Sequence, residues 1–373
     1  MNIRNLYISA GVLAVLAIVT SLFKKSDSAP LLDDRVGTPI IEPAALRDTA
    51  KIIVETEEES LTFTNAGESN LWTLEERFNL PTSYDRISEL ARNVSEASIQ
   101  RLVSENPERI ATLGFETGES IRFVDNSGND IVAFQLGKET ENGRQFMRYE
   151  GEEKAFLVDA TFFINSNLDS WLEKKLVDFE ADDVTSIEAS LQNGEQISVT
   201  RENADSDWET TGTLPEGKIL NQSSIGQIAT RISGLTFTAT AETGNENVVA
   251  AKEHSHRFTL KLSNGDSYEY AIGRQPEVKV EKEVEREGEN GETTTEIEEE
   301  VVTPEGPVYY FIASSNNDDP VNAYMDRAAF EASSYQFTSL PDTLDKLLSD
   351  APPEPEETPA TPLVTVPEEA PAP

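Results

Sequence analysis

Two histidines, His254 and His256, are the only imidazoles in the chain, and they stand together in the run EHSHRF. At the start of a β-strand an H-x-H pair turns both rings to one face, which supplies two nitrogen ligands for a transition metal. No third ligand is marked by spacing, although Glu253 is adjacent. The expected role of both residues is therefore that of exposed polar groups on an edge strand, and no metal is assigned. The run DNSGND (Asp125–Asp130) places oxygen atoms at alternate positions, as calcium loops do. It lacks the bidentate acid that closes such a loop, and its counterpart SNGD (Ser263–Asp266) keeps little beyond the turn residues. A hairpin turn is expected there, and a plain loop at SSNNDDP (Ser314–Pro320).

Other catalytic chemistry finds no foothold. There is no cysteine, so thiol catalysis, disulfides and Fe–S ligation are excluded. No nucleophile-elbow, phosphate-loop, dinucleotide or zincin motif occurs. The chain has 69 acidic residues against 30 basic ones, a net charge of −39. Such a field repels phosphate backbones, so nucleic acid is not an expected partner. A paired-carboxylate catalyst needs one acid in an apolar pocket, whereas most acids here lie in polar runs. A non-enzyme without a cofactor is expected.

The elements that would carry a site come twice. LTFTNAGESNLW (Leu61–Trp72) and ISVTRENADSDW (Ile197–Trp208) each set an alternating strand ahead of a tryptophan. Each is followed by Leu-Pro and then by a helical pattern: Ile87, Leu90, Val94 in the first copy and Ile225, Ile228, Ile232 in the second. RFVDNSGNDIVAFQLG and RFTLKLSNGDSYEYAIG are matching hairpins ending at Gly137 and Gly273. The same spacing separates Trp72 from Trp208 as Gly137 from Gly273. Trp72 and Trp208 are expected as paired core residues rather than stacking platforms. The fold expected is α+β: an N-terminal transmembrane helix followed by two tandem duplicated α+β units with mostly antiparallel sheets.

Leu6–Phe23 is uncharged and flanked by Arg4 and Lys24–Lys25. At about 1.5 Å per residue it is just long enough for a hydrocarbon core. Residues 1–25 are thus an expected membrane anchor, with the bilayer as a partner, and 26–50 a Pro-containing tether; the alternative is a signal peptide cleaved at the small residues Ser26–Ala29. The first unit is placed at 51–168, a linker helix around Trp171 at 169–183, and the second unit at 184–348. Within the second unit lies an acidic insertion, 277–303, which reads either as a β-hairpin turning at Asn290–Gly291 or as a disordered segment. Residues 349–373 are expected as a Pro-rich disordered tail.

IIVETEEESLTFTNAGESNLWTL, SYDRISELARNV, NPERIATLGFE and YEGEEKAFLVDATFFINSNLDSWLEKKLVDFEADDVTSIEA together resemble the bacterial domain-of-unknown-function 4340 family. The matched features include the A-x-L-G-F stretch ending at Phe115, the FLVD strand (Phe156–Asp159) and W-x-x-K-x-L-x-D-F (Trp171–Phe179). The second unit has no clear L-G-F equivalent, and the acidic insertion and the tail look like additions. The resemblance implies no catalytic residue. It implies a single-pass protein of the bacterial inner membrane with its bulk facing the periplasm, in the company of gliding-motility-type ABC transporters. Permease and ATPase subunits are then the implied partners. The alternative function is an envelope protein that binds a glycan, peptide or ion in a cleft between the two units.

Overall fold

The computed structural model describes residues 33–352 apart from 66, 68–70 and 288–292. The expected anchor Leu6–Phe23, the Asn290–Gly291 turn and the tail beyond Pro352 lie outside the described residues. No helix among the described residues is long and apolar enough to cross a membrane. The fold is mixed α+β, every strand pairing between named strands is antiparallel, and the chain divides into two compact units at Lys174/Lys175.

Unit 1 contains β1 (Thr49–Glu55), β2 (Ser60–Asn65), β3 (Trp72–Leu74) and β4 (Leu80–Pro81), then helix α1 (Tyr84–Glu96) and β5 (Ile99–Ser104). A one-turn helix α2 (Pro107–Ile110) precedes β6 (Ser120–Asp125), β7 (Asp130–Glu139), β8 (Gln145–Tyr149) and β9 (Ala155–Val158). They form one sheet ordered β4-β3-β2-β1-β6-β7-β8-β9-β5. Alternation sets its inner face: Ile52, Val54, Leu61, Phe63, Ile121, Phe123, Phe134, Leu136 and Met147 are buried at every second position. Helix α1 buries Ile87, Leu90 and Val94, the stripe expected of a 3.6-residue period.

Unit 2 contains β10 (Val184–Ser190), β11 (Gln196–Thr200), β12 (Lys218–Leu220), α3 (Gln222–Ser233), β13 (Ala239–Ala241) and α4 (Glu246–Glu253). Then come β14 (Ser255–Leu262), β15 (Ser267–Gly273), β16 (Val278–Glu287), β17 (Thr293–Thr303) and β18 (Val308–Ser314). Helix α5 (Pro320–Arg327), β19 (Ala329–Ala332), α6 (Ser334–Ser339) and β20 (Leu348–Asp350) complete it. The main sheet runs β11-β10-β14-β15-β18-β19-β13. Laid beside β2-β1-β6-β7-β8-β9-β5 of unit 1, it is the same strand order. Even the irregularities recur: the β1–β6 pairing slips between Thr49 and Lys51, and the β10–β14 pairing between Val184 and Ser186.

Several expectations need correction. Aligned through Gly137 and Gly273, Ile121 and not Arg122–Phe123 is the counterpart of Phe258: Ile121 pairs with Phe134 as Phe258 pairs with Tyr270. The repeated Arg-Phe dipeptide is therefore slipped by one strand period, which keeps each residue on the same face and hides the error. The tether does not stay free to residue 50. From Asp33 it lies on unit 1, where Ile40 and Ile41 are buried and Pro39 bridges to Ser98. Arg35 pins it by bonding Asp33 and Glu152, with its guanidinium 5.0 Å above the Tyr149 ring and 4.7 Å above Phe156. Burial pushes the Tyr149 hydroxyl up to about 12, and it donates to Ile40 O at 2.7 Å. At the other end Leu348–Asp350 pairs with Lys218–Leu220, so 349–350 belong to a strand rather than to the tail.

The linker helix at 169–183 is absent as such. Two 3-10 turns (Leu168–Trp171 and Ala181–Asp183) flank an extended stretch. The reason is where the backbone groups go. Glu173 N–H donates to Pro81 O at 2.9 Å, Leu172 bridges to Thr82 and Lys175 to Thr236, so donors a helix would use internally serve tertiary partners. Trp171 is buried against Phe63 with ring centroids 5.0 Å apart, and its indole N–H donates to Asn165 O at 2.8 Å.

Candidate functional site

The residues singled out by type do not assemble into a metal or catalytic centre. His254 is the residue capping the C-terminal end of α4, and β14 begins only at Ser255, so the two histidines do not share a strand face. His256 is buried, its Nδ1 accepts the Gln192 N–H at 3.2 Å, and its ring lies 5.4 Å from Phe337. Burial is the main cause that lowers its pKa. Its expected exposure is thus overturned, because its strand position points it into the core of unit 2. Among the described residues no three histidine or acidic side chains are grouped to hold a metal ion.

The oxygen-rich runs are consumed by local geometry. Asp125 Oδ1 accepts from the backbone of Ser127 and Asn129, both at 2.8 Å, and these bonds lower its pKa. Gly128 at φ 83° and Gly265 at φ 95° turn the two hairpins. Within Ser314–Pro320, Asp319 caps α5 by accepting from Val321 N–H at 3.0 Å, and Pro320 opens the helix. Asp319 also accepts from the Tyr268 hydroxyl. Trp208 is buried beneath Arg201, whose guanidinium sits 4.6 Å from its ring, while Trp72 is only half-buried at the start of β3. The two tryptophans are not packed alike, although the Thr64↔Thr73 pairing of β2 and β3 recurs in unit 2 as the isolated bridge Thr200↔Glu209.

The two glycines are equivalent in structure as well as in spacing. A Cβ on Gly137 would lie 2.6 Å from Leu113 O, and one on Gly273 would lie 2.5 Å from His254 O and closer still to Ala251 O. Each glycine lets backbone rest directly on the outer face of the sheet, just after α2 in unit 1 and at the C-terminal end of α4 in unit 2. In unit 2 this seats α4, which begins with Asn245 accepting from Asn247 N–H at 2.9 Å.

Over that same outer face opens a groove of about 600 Å³ in unit 2, between α4 and α5. The register builds its floor in two rows: Arg257–Ala271–Phe311, and Thr259–Glu269–Ala313. One wall is α4, with Val248, Val249 and Lys252; the other is α5, with Met325 and Asp326. Lys252 Nζ lies 5.8 Å from the Phe311 ring, which places this cation with the first row. The α5 wall is held by Asn322, which accepts from Ser314 N–H at 2.8 Å and donates to Ser314 O at 3.1 Å. Arg257, Glu269 and Asp326 make no ion pair among the described residues.

Unit 1 closes the same place. Gln135 stands where Ala271 stands, and its Oε1 accepts Arg148 Nε–H at 2.6 Å, while Arg148 lies 5.1 Å from the Phe115 ring. A turn at 150–154 replaces α5. Nothing in residue type marked Ala271; only its counterpart Gln135, once the repeat is in register, signals a missing side chain.

The second feature peculiar to unit 2 is an arm. Among the described residues β16 and β17 pair only with each other, from Val278↔Thr303 to Glu287↔Thr293 with one register shift between Val278 and Lys279, so the insertion reads as the hairpin of the two alternatives. At its base Gly306 N–H donates to Gln275 O at 2.9 Å, and Arg274 pairs with Glu305. Val278, Val280, Ile297, Val301 and Val302 are exposed along it, and Glu281 stands directly opposite Glu299.

The family described as Domain of unknown function (DUF4340) matches residues 72–279, more than half of the chain. No curated protein and no solved structure matches.

Proposed function

This chain belongs to the DUF4340 family, and from that premise we propose that it is a non-catalytic, membrane-anchored accessory or scaffold subunit of an ABC-type export or cell-envelope complex. In this reading Leu6–Phe23 spans the bacterial inner membrane and the two units, copies of one ancestral module, stand on the periplasmic side. The uncharged stretch supports the anchor, and the shared strand order supports the duplication. Permease or ATPase subunits are the partners proposed.

The observation that carries the reading is the arm. A two-stranded ribbon by itself is marginal in water. This one adds eleven glutamates against three basic residues over Glu277–Thr303, a glutamate pair across the strands, and exposed valines. Like charges directly opposite each other destabilise a ladder, so a cationic protein surface would relieve the ribbon while covering its apolar side chains. The test is purification of the full-length chain from mild-detergent membranes, beside a chain in which 277–303 is replaced by a tight turn at the Gln275–Gly306 base. Transporter subunits are expected to accompany the full-length chain near stoichiometry and to be lost from the shortened one at unchanged melting temperature. Equal recovery of partners by both, or none by either, would sink the proposal.

The groove of unit 2 favours a second reading, an envelope ligand-binding protein. Its volume lies in the range of small-molecule sites. Ligand-dependent thermal stabilisation of the chain would mark that activity.

A further inference from the structure

Resting on the ligand-binding reading, we infer that the unit 2 groove takes a short apolar peptide with free termini. Arg257 and Lys252 stand with the Phe311 row and the α4 wall, while Glu269 lies on the next row and Asp326 on the opposite wall. Rows on one face of a strand are about 7 Å apart. The groove thus holds its cations in the row that runs through Ala271 to Phe311 and on α4, and its anions in the adjacent row and on α5, beside an apolar strip of Ala271, Phe311, Ala313 and Met325.

These charges are not there to hold the fold. Arg257 and Glu269 are exposed at their strand positions and carry no ion pair among the described residues. In unit 1 the matching face is satisfied internally by Gln135, Arg148 and Phe115. Two acids and two bases, each unpaired with the other, fit a ligand that carries both signs. A peptide does so: its carboxylate faces Arg257 and Lys252, its ammonium faces Glu269 and Asp326, and its side chains cover the strip. A fatty acid would leave the acids facing its apolar body, and a divalent ion would leave the strip and the bases unused.

The probe is trileucine, titrated calorimetrically into the full-length chain in detergent, beside its N-acetyl form, its C-amide form, octanoate and calcium. The expected result is binding of trileucine, weakened about ten-fold or more by either cap. Ala271→Gln, which copies unit 1, is expected to abolish binding. Arg257→Gln is expected to lower trileucine affinity to that of the C-amide and to leave the C-amide unchanged. The second variant alters an exposed, unpaired side chain, so it reports even where Ala271→Gln disturbs folding. Equal affinity for capped and free peptides, or trileucine binding that survives Ala271→Gln in a folded chain, overturns the inference. Octanoate or calcium binding that is lost in Ala271→Gln, without trileucine binding, overturns the peptide and leaves the ligand-binding reading standing. No binding of any probe overturns both.

Discussion

Gly273→Ala is the substitution whose effect the geometry defines most sharply. The new methyl would sit 2.5 Å from His254 O and nearer still to Ala251 O, and both are backbone atoms at the end of α4. Neither can rotate away, so α4 and β15 must separate. Overpacking of this kind costs about 1–3 kcal/mol and sometimes more. Against it, alanine restricts the unfolded chain and returns roughly 0.4–1 kcal/mol. A net loss of about 1–2 kcal/mol follows, or roughly 2–8 °C in Tm for a unit of this size. Two companion variants set the scale. Gly137→Ala meets one backbone oxygen at 2.6 Å and otherwise side-chain atoms of Phe146 and Phe115, at 3.1 and 3.2 Å, so it should lose less. Gly244→Ala, just before α4, meets nothing within 4 Å and should be neutral or slightly stabilising. Differential scanning calorimetry of the three variants ranks them. A Gly273→Ala protein that melts with the parent, or a Gly244→Ala protein that melts lowest, would refute the seating of α4 on β15.

Three further outcomes are expected. Burial holds the His256 imidazole below its ordinary value, so the folded chain resists a proton that the unfolded chain takes near pH 6.5; unit 2 should lose stability as pH falls below about 6.5, and His256→Gln should flatten that slope in urea midpoints taken at pH 7.5 and 5.5. An identical slope in both proteins would remove His256 as its source. Trp171→Ala, which empties the contact with Phe63, should cost about 3–5 kcal/mol in urea unfolding, and Trp171→Phe, which chiefly loses the bond to Asn165 O, about 1 kcal/mol. Asp319→Ala removes the cap of α5 and the acceptor of the Tyr268 hydroxyl together, so it should cost about 1–3 kcal/mol and raise amide exchange along Pro320–Arg327; unchanged exchange there would show that Asn322 alone holds the helix.

Local chemistry was legible wherever neighbours in sequence are neighbours in space. The expected FLVD strand (Phe156–Asp159) is found one residue earlier, at Ala155–Val158, because alternation and turn residues act within a few positions. The helical pattern Ile87, Leu90, Val94 is the buried stripe of α1, as its spacing required. The linker failed for the opposite reason. Trp171, Leu172, Leu176 and Phe179 have helical spacing, yet within this stretch Glu173 N–H is taken by Pro81 O, and Leu172 and Lys175 bridge to Thr82 and Thr236, residues remote in sequence. Spacing measures which side chains could share a face; it does not register a competing partner for the backbone.

The groove shows the same division. By itself the sequence determined that there are two α+β units, that strands alternate within them, and that Gly137 and Gly273 are counterparts, since periodicity and repetition are properties of the chain. Tertiary structure alone decided that His256 is buried while His254 ends a helix, because burial depends on which strand lies alongside. It alone decided that Ala271, an ordinary small residue, opens a floor between Arg257 and Phe311. A cavity is made by side chains that are missing where sheet and helices converge, and no residue in the chain records an absence until its neighbours are in place.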